Sequence, residues 1–379
     1  MTKIAGAAVK YANNARPASD GGSPILFQRD DVATSVATIT QWPGYQPTPL
    51  VDLSGLADEV GVARIYYKDE GGRFGLGSFK ALGGAYAVER LLSDRPEPNS
   101  EITVACATDG NHGLSVAWGA KRLGCRCVIY IHADVSAGRE RALRAQGADV
   151  IRIDGNYDAS VRHCAASAKQ HGWFVVSDTT VDDRDREVPT TVMAGYAVMV
   201  SEIIERVAPD VPTHVFVQGG VGGLAATICE VFRLTWGDRA PSLVVVEPER
   251  AACLYESALA NTRTAVEVRE ETVMAGLSCG EVSIVAWDVL GTHADAFLTL
   301  PDAVVPPAMR LLASAPYGDP PLVAGESAVA GLAALIACCA QPQLAEPLGL
   351  SETSRVLVIG TEGATDPDLY HSLTGHTPS

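Results

Sequence analysis

Four short segments hold residue types that could do chemistry. In Gly75-Leu76-Gly77-Ser78-Phe79-Lys80 a lysine follows a glycine-rich loop and stands beside Phe79. A lysine early in a helix is usually a solvated side chain. One held against apolar groups loses basicity, and such an amine can form a Schiff base with an aldehyde. Gly219-Gly220-Val221-Gly222-Gly223 follows a β-branched run and opens a helical pattern. A tight strand-to-helix turn needs fewer glycines. Here they let backbone amides approach an anion at a helix N-terminus, which suits a phosphate. It is not a Walker motif, because no Gly-Lys-Ser/Thr follows. In Ala107-Thr108-Asp109-Gly110-Asn111-His112-Gly113, short polar side chains meet the start of another helix. That segment suits a carboxylate or phenolate oxygen, or simply an Asx-type turn that caps the helix. Gly360-Thr361-Glu362-Gly363 places a hydroxyl at the end of a strand, fit for a ring nitrogen or for a helix cap.

These segments need strands and helices to bring them together. Short β-branched runs alternate with longer Ala/Leu-rich patterns, which predicts βαβ units and mainly parallel sheets. Strands are expected at Arg64–Tyr67, Ile102–Ala107, Arg126–Ile131, Asp149–Ile153, Trp173–Ser177, His214–Gln218, Ser242–Glu247 and Arg355–Ile359. Helices are expected at Ser78–Leu92 (Ser78 as N-cap), Gly113–Leu123, Ala137–Gln146, Tyr157–His171, Thr190–Val207 and Leu224–Thr235. The first forty or so residues read as an irregular arm, and Asp94–Asn99 as the connector between units. The expected division is a large domain of residues 1–90 plus 189–379 and a small mobile domain of residues 91–188.

Composition narrows the function classes. Across 379 residues the chain is 47% hydrophobic and 20% charged, an ordinary globular balance. Its net charge of −16, without a run of Lys or Arg, argues against a nucleic-acid partner. No stretch of about 18 apolar residues suggests a membrane helix, and no leader pattern is visible. A cytoplasmic protein is therefore expected. The nine cysteines are scattered and read mostly as reduced core residues, Cys338-Cys339 among them. Cys253 and Cys279 fall near expected loops, where a reversible pair is the rarer alternative in a reducing compartment. His112 has no second His or Cys at ligand spacing, so no metal is expected.

Taken together, a lysine for an aldehyde, a glycine cradle for its phosphate, an Asn loop and a late hydroxyl are the parts of a pyridoxal 5'-phosphate site. Their order resembles the fold-type II enzymes, the tryptophan synthase β-subunit family. Within that group the chain resembles the diaminopropionate ammonia-lyase family from about Tyr45 to Asp366. The stretches that carry the likeness are FGLGSFKALGG (Phe74–Gly84), ATDGNHGLSV (Ala107–Val116), Asp178-Thr179, PTTVMAGY (Pro189–Tyr196), VQGGVGGL (Val217–Leu224), MAGLSCGE (Met274–Glu281), Gly325–Ser327 and TEGATD (Thr361–Asp366). Asp109 discriminates best, since the usual type II dehydratases and cysteine synthases carry Ser there.

The resemblance implies an α/β fold of two three-layer αβα domains with the cofactor in the cleft between them. It implies α,β-elimination of D- or L-2,3-diaminopropionate to pyruvate and ammonia by a homodimer. Lys80 would hold the cofactor beside Phe79, and Gly219, Gly220, Val221, Gly222 and Gly223 would bind its phosphate. Asn111 would meet the ring hydroxyl and Thr361 the ring nitrogen. Asp109 and Asp178 would act as bases on opposite faces of the substrate, and Thr108 and His112 would orient its carboxylate. The chain departs from the family at Thr180–Arg186, a charged run where an aromatic, glycine-containing segment is usual. That run is either a solvated loop or a contact for a different side chain. A serine or threonine dehydratase, a β-replacement enzyme and a non-catalytic nucleotide-binding protein are the rival readings.

Overall fold

Strands from distant parts of the chain assemble into two sheets. The computed structural model describes residues 1–14, 26–93, 95–108 and 110–378. Its strands are β1 (Lys10–Asn13), β2 (Leu50–Asp52), β3 (Arg64–Asp69), β4 (Thr103–Ala107), β5 (Arg126–Ile131) and β6 (Asp149–Arg152), then β7 (Phe174–Val175), β8 (His214–Gln218), β9 (Ser242–Pro248), β10 (Ala296–Leu300) and β11 (Arg355–Gly360). The larger sheet has the order β1-β10-β9-β8-β11-β3-β2 and the smaller β6-β5-β4-β7. The smaller sheet is parallel throughout, and in the larger only the edge strands β1 and β2 run antiparallel to their neighbours.

The alternation of side chains along the central strands explains the layers. Leu357 and Ile359 of β11, with Val215 and Val217 of β8, face helices Lys80–Ser93, Glu187–Val207 and Gly223–Trp236. Val356, Val358 and Phe216 face the other way, onto helix Ala330–Cys339. Strands covered on both faces read as unbroken apolar runs rather than alternating ones, as His214–Gln218 and Ser242–Pro248 do. The first of these cores continues into the small sheet through Val104, Cys106, Ile129 and Ile131. It can do so because glycines bring helices into backbone contact. A Cβ on Gly84 would lie 2.8 Å from the Ser115 hydroxyl, and one on Gly119 would lie 2.7 Å from the Ala85 Cα.

The N-terminal segment is more ordered than an irregular arm. It holds a short helix, the edge strand β1 and helix Arg29–Ile39. Strand β1 is fixed by pairing with β10, almost three hundred residues away, and a four-residue strand with one buried side chain gives no local signal of that partner. Residues 15–25 of the arm, Asp94 of the connector and Asp109 lie outside the described residues. The helix expected from Ser78 begins at Lys80, and the one expected from Gly113 begins at Asn111.

Candidate active site

In parallel sheets ligands bind beyond the C-terminal ends of strands, where the strand order reverses. Both sheets reverse at the strands that carry the expected residues. In the larger sheet the reversal falls between β8, which leads into Gly219–Gly223, and β11, which leads into Thr361. In the smaller it falls between β4, which leads into Thr108 and Asn111, and β7, which precedes Asp178. The resulting cleft is lined by Phe79, Lys80, Thr108, Asn111, His112 and Asp178 and by Gly220–Gly223 and Thr361.

The loop before Lys80 is zipped to the end of β11. The Phe79 amide donates to the Thr361 carbonyl at 3.0 Å, and the Gly363 amide donates to the Gly77 carbonyl at 2.9 Å. Lys80 Nζ forms an ion pair with Asp178 Oδ2. Burial works against the lysine's charge, but the Asp178 carboxylate outweighs it and raises the Lys80 pKa. This reverses the expectation that apolar surroundings would weaken the base, because the sequence did not show which carboxylate would stand opposite. Burial likewise pushes Asp178 up, yet the ion pair with Lys80 holds its carboxyl well below the usual carboxylate range. The cleft thus holds an ionised carboxylate beside a cationic amine.

The glycine loop is set by packing as well as by chemistry. A Cβ on Gly219 would lie 2.6 Å from Leu254 Cδ1 and 2.8 Å from Val245 Cγ1, and Gly222 adopts a left-handed φ of +97°. The Gly219 amide is committed to the Val246 carbonyl at 2.8 Å. Gly219 therefore makes room, and the cradle's free donors belong to the start of helix Gly223–Trp236, where helical geometry leaves amides unpaired. Gln218 Nε2 donates to Thr361 Oγ1 at 2.9 Å, which leaves the threonine's own proton for an acceptor in the cleft.

On the opposite wall, Thr108 Oγ1 accepts the amides of Gly110 and Gly113, each at 3.0 Å. The hydroxyl thereby shapes the loop. Asn111 Nδ2 donates to Glu362 Oε2 at 2.5 Å, and Arg139 pairs with Glu326 at 3.0 Å. These two contacts bridge the cleft from the four-stranded unit to the seven-stranded one. Asp109, the other expected base, is outside the described residues.

Several lining residues had no role assigned from sequence: Arg139, Tyr157, Tyr196, Gln218, Cys279 and Glu362. Gln218 and Glu362 sit inside quoted motifs, where adjacency to the glycine loop and to Thr361 was a usable signal. Arg139 and Tyr157 lie in helices without a motif. In the charged run after Asp178, Asp182 pairs with Arg184, and Arg186 pairs with Asp183 and Asp288. None of residues 180–186 lines the cleft, which favours the solvated-loop reading. Among the described residues none of the nine cysteines is in a disulfide and no cluster suited to a metal is found.

A family model for pyridoxal-phosphate dependent enzymes matches residues 41–362. Diaminopropionate ammonia-lyase of Escherichia coli K12 is 39% identical over 374 residues, covering 93% of this chain and 94% of that one. Two crystal structures of the E. coli enzyme match over 97% of each chain. The complex with D-serine superposes with a TM-score of 0.90 at 35% identity. The complex with an aminoacrylate-PLP azomethine reaction intermediate gives 0.89 at 36%.

Proposed function

The chain belongs to the pyridoxal-phosphate dependent enzymes and, among them, to the diaminopropionate ammonia-lyases, and from that premise we propose how its residues carry out the elimination of 2,3-diaminopropionate to pyruvate and ammonia. The observation that carries the reading is an amine and an ionised carboxylate, Lys80 and Asp178, paired in a cleft walled by a glycine loop.

Pyridoxal 5'-phosphate fits the residues present. Lys80 would hold its aldehyde with Phe79 alongside, and the amides that follow Gly219 in Gly220, Val221, Gly222 and Gly223 would take its phosphate. Asn111 would meet the ring hydroxyl. The Thr361 hydroxyl, already accepting from Gln218, has a proton left for the ring nitrogen. When bound, the cofactor supplies a sink for the electron pair left on the substrate's Cα.

Asp178 takes the Cα proton on its face of the substrate, and its ionised state in the cleft makes it ready to do so. Asp109 serves the other face, which would let both enantiomers react. Lys80 Nζ, facing the Asp178 carboxylate, is placed to return a proton where the substrate's amino nitrogen is released. Acidic side chains draw in the β-ammonium that serine lacks. The Thr108 loop, held by its own hydroxyl, and the His112 region present backbone amides for the substrate carboxylate. Residues 91–188 act as a small domain that closes to exclude water, with Arg139–Glu326 and Asn111–Glu362 as the contacts it makes and breaks. By family resemblance the enzyme works as a cytoplasmic homodimer. Among the described residues no helix is long and apolar enough to cross a membrane.

The test is pyruvate and ammonia release with D- and L-diaminopropionate, serine and threonine in parallel. Two ammonia per pyruvate from diaminopropionate, with little from serine, is the expected result. Faster turnover of serine or threonine would replace the reading with a dehydratase.

A further inference from the structure

We propose that His112 acts through Asp178 as a second seat for the substrate's Cα proton: its Nδ1 takes the proton from the Asp178 carboxyl while its Nε2–H stays on the Val176 carbonyl. The proposal rests on the elimination reading above. His112 Nε2 lies 2.8 Å from the Val176 carbonyl oxygen. A carbonyl only accepts, so Nε2 carries the proton and Nδ1 of the neutral ring is left with a lone pair. That Nδ1 is buried, has no hydrogen-bond partner, and lies 3.9 Å from Asp178 Oδ2. Leaving a buried polar atom unpaired is costly.

The oxygen that Nδ1 faces is the one Lys80 Nζ engages. Asp178 and Lys80 are the charged groups facing the imidazole among the described residues. Burial keeps the ring below the ordinary histidine range despite the carboxylate beside it, so the resting imidazole is neutral and able to accept. The present separation is longer than a hydrogen bond, as is common for such pairs before substrate binds.

The proton balance is simple. The Cα–H bond breaks, its electron pair stays with the substrate, and an O–H bond forms on Asp178. That O–H then breaks as N–H forms on Nδ1, leaving Asp178 ionised and His112 cationic beside it. The imidazolium afterwards loses the proton to water entering the cleft. Asp178 is thereby reset without its proton passing directly to water.

Two measurements decide the matter. Nitrogen-15 spectra of the wild-type holoenzyme, with the signal assigned by its loss in His112→Gln, report the tautomer. An Nε2–H ring is expected, and an Nδ1–H ring would overturn the proposal. The Gln variant keeps a donor for Val176 but has no acceptor at Nδ1. Its kcat should fall about 10²-fold with KM little changed, and the acid limb of its kcat–pH profile should move. A variant with unchanged kcat and pH profile would sink the relay. If the wild-type enzyme leaves diaminopropionate untouched, the elimination reading fails on its own, and the tautomer still decides whether Nδ1 can accept.

Discussion

The two walls of the cleft are built from the same kind of strand end but do different work. The seven-stranded wall offers a glycine loop with no room for a Cβ at Gly219, a hydroxyl fixed by Gln218, and a lysine loop zipped to β11. The four-stranded wall offers Asn111, His112 and Asp178, groups able to exchange protons or hydrogen bonds. Close packing suits a site that must grip one rigid cofactor, because glycine backbone cannot drift when Leu254 and Val245 press on it. Titratable groups suit the wall that changes partners during turnover. A binding wall and a proton-handling wall can therefore be altered separately, except at Lys80, which belongs to both.

Lys80→Ala should consequently have the largest effect. Loss of at least about 10³-fold in kcat, together with loss of the protein-linked cofactor absorbance, is the expected outcome in a spectrum and a pyruvate assay. Asp178→Asn should cost about 10²- to 10⁴-fold on one enantiomer of diaminopropionate and far less on the other, while cofactor affinity is kept. Equal losses on both enantiomers would dissolve the assignment of one base to each face. Gly222→Val places a side chain at φ +97° and against Ala286, a strain of about 1–3 kcal/mol. It should weaken cofactor binding about 10- to 100-fold in a titration and leave kcat at saturating cofactor nearly intact. A loss of kcat instead would erase the distinction between the walls.

The smallest effect concerns the bridge between them. Burial, and then the neighbouring Glu362, push the Glu326 carboxyl up to about 7 although Arg139 pulls it down. The folded protein thus keeps a proton that the unfolded chain has already lost. That contribution to stability is complete at low pH and disappears as pH rises through about 7. Glu326→Gln cannot titrate, so its Tm relative to wild type should climb between pH 5 and pH 8 in a thermal melt. A constant difference across that range would show that Glu326 is ionised throughout.

Much of the site was legible because its residues sit in contiguous motifs at strand ends. Strands β5 and β8 and helix Tyr157–His171 match their expected bounds. The edge strands β1 and β2 and the inner strand β10 were not read, since segments of three to five residues are decided by the sheet they join. The ion cluster of Lys68, Glu70, Arg73 and Glu202 was equally hidden. Lys68-Asp69-Glu70 reads as a charged strand end, yet Lys68 and Arg73 are each only 1% exposed. Glu202, from a helix more than a hundred residues later, bonds Arg73 at 2.7 Å and Lys68 at 2.5 Å. Sequence spacing cannot reveal counter-charges supplied from that distance. The same limit explains the basicity of Lys80, which is set by Asp178 across the cleft.

The position of β11 has a consequence for how the enzyme is made. This strand, nearly the last element of the chain, lies between β8 and β3 in the middle of the larger sheet, and its end fastens the loop before Lys80. A ribosome that has synthesised the lysine, the glycine loop and both aspartates has still not made the strand that joins them. Domains generally fold as units during synthesis, and here the larger unit is discontinuous until its final stretch emerges. The four-stranded unit, contiguous in sequence, can form first and wait. Capture of the cofactor is thus a step that follows synthesis of β11, and truncation before Arg355 leaves the lysine, Asn-loop and glycine-loop motifs present, removes Thr361, and leaves no site.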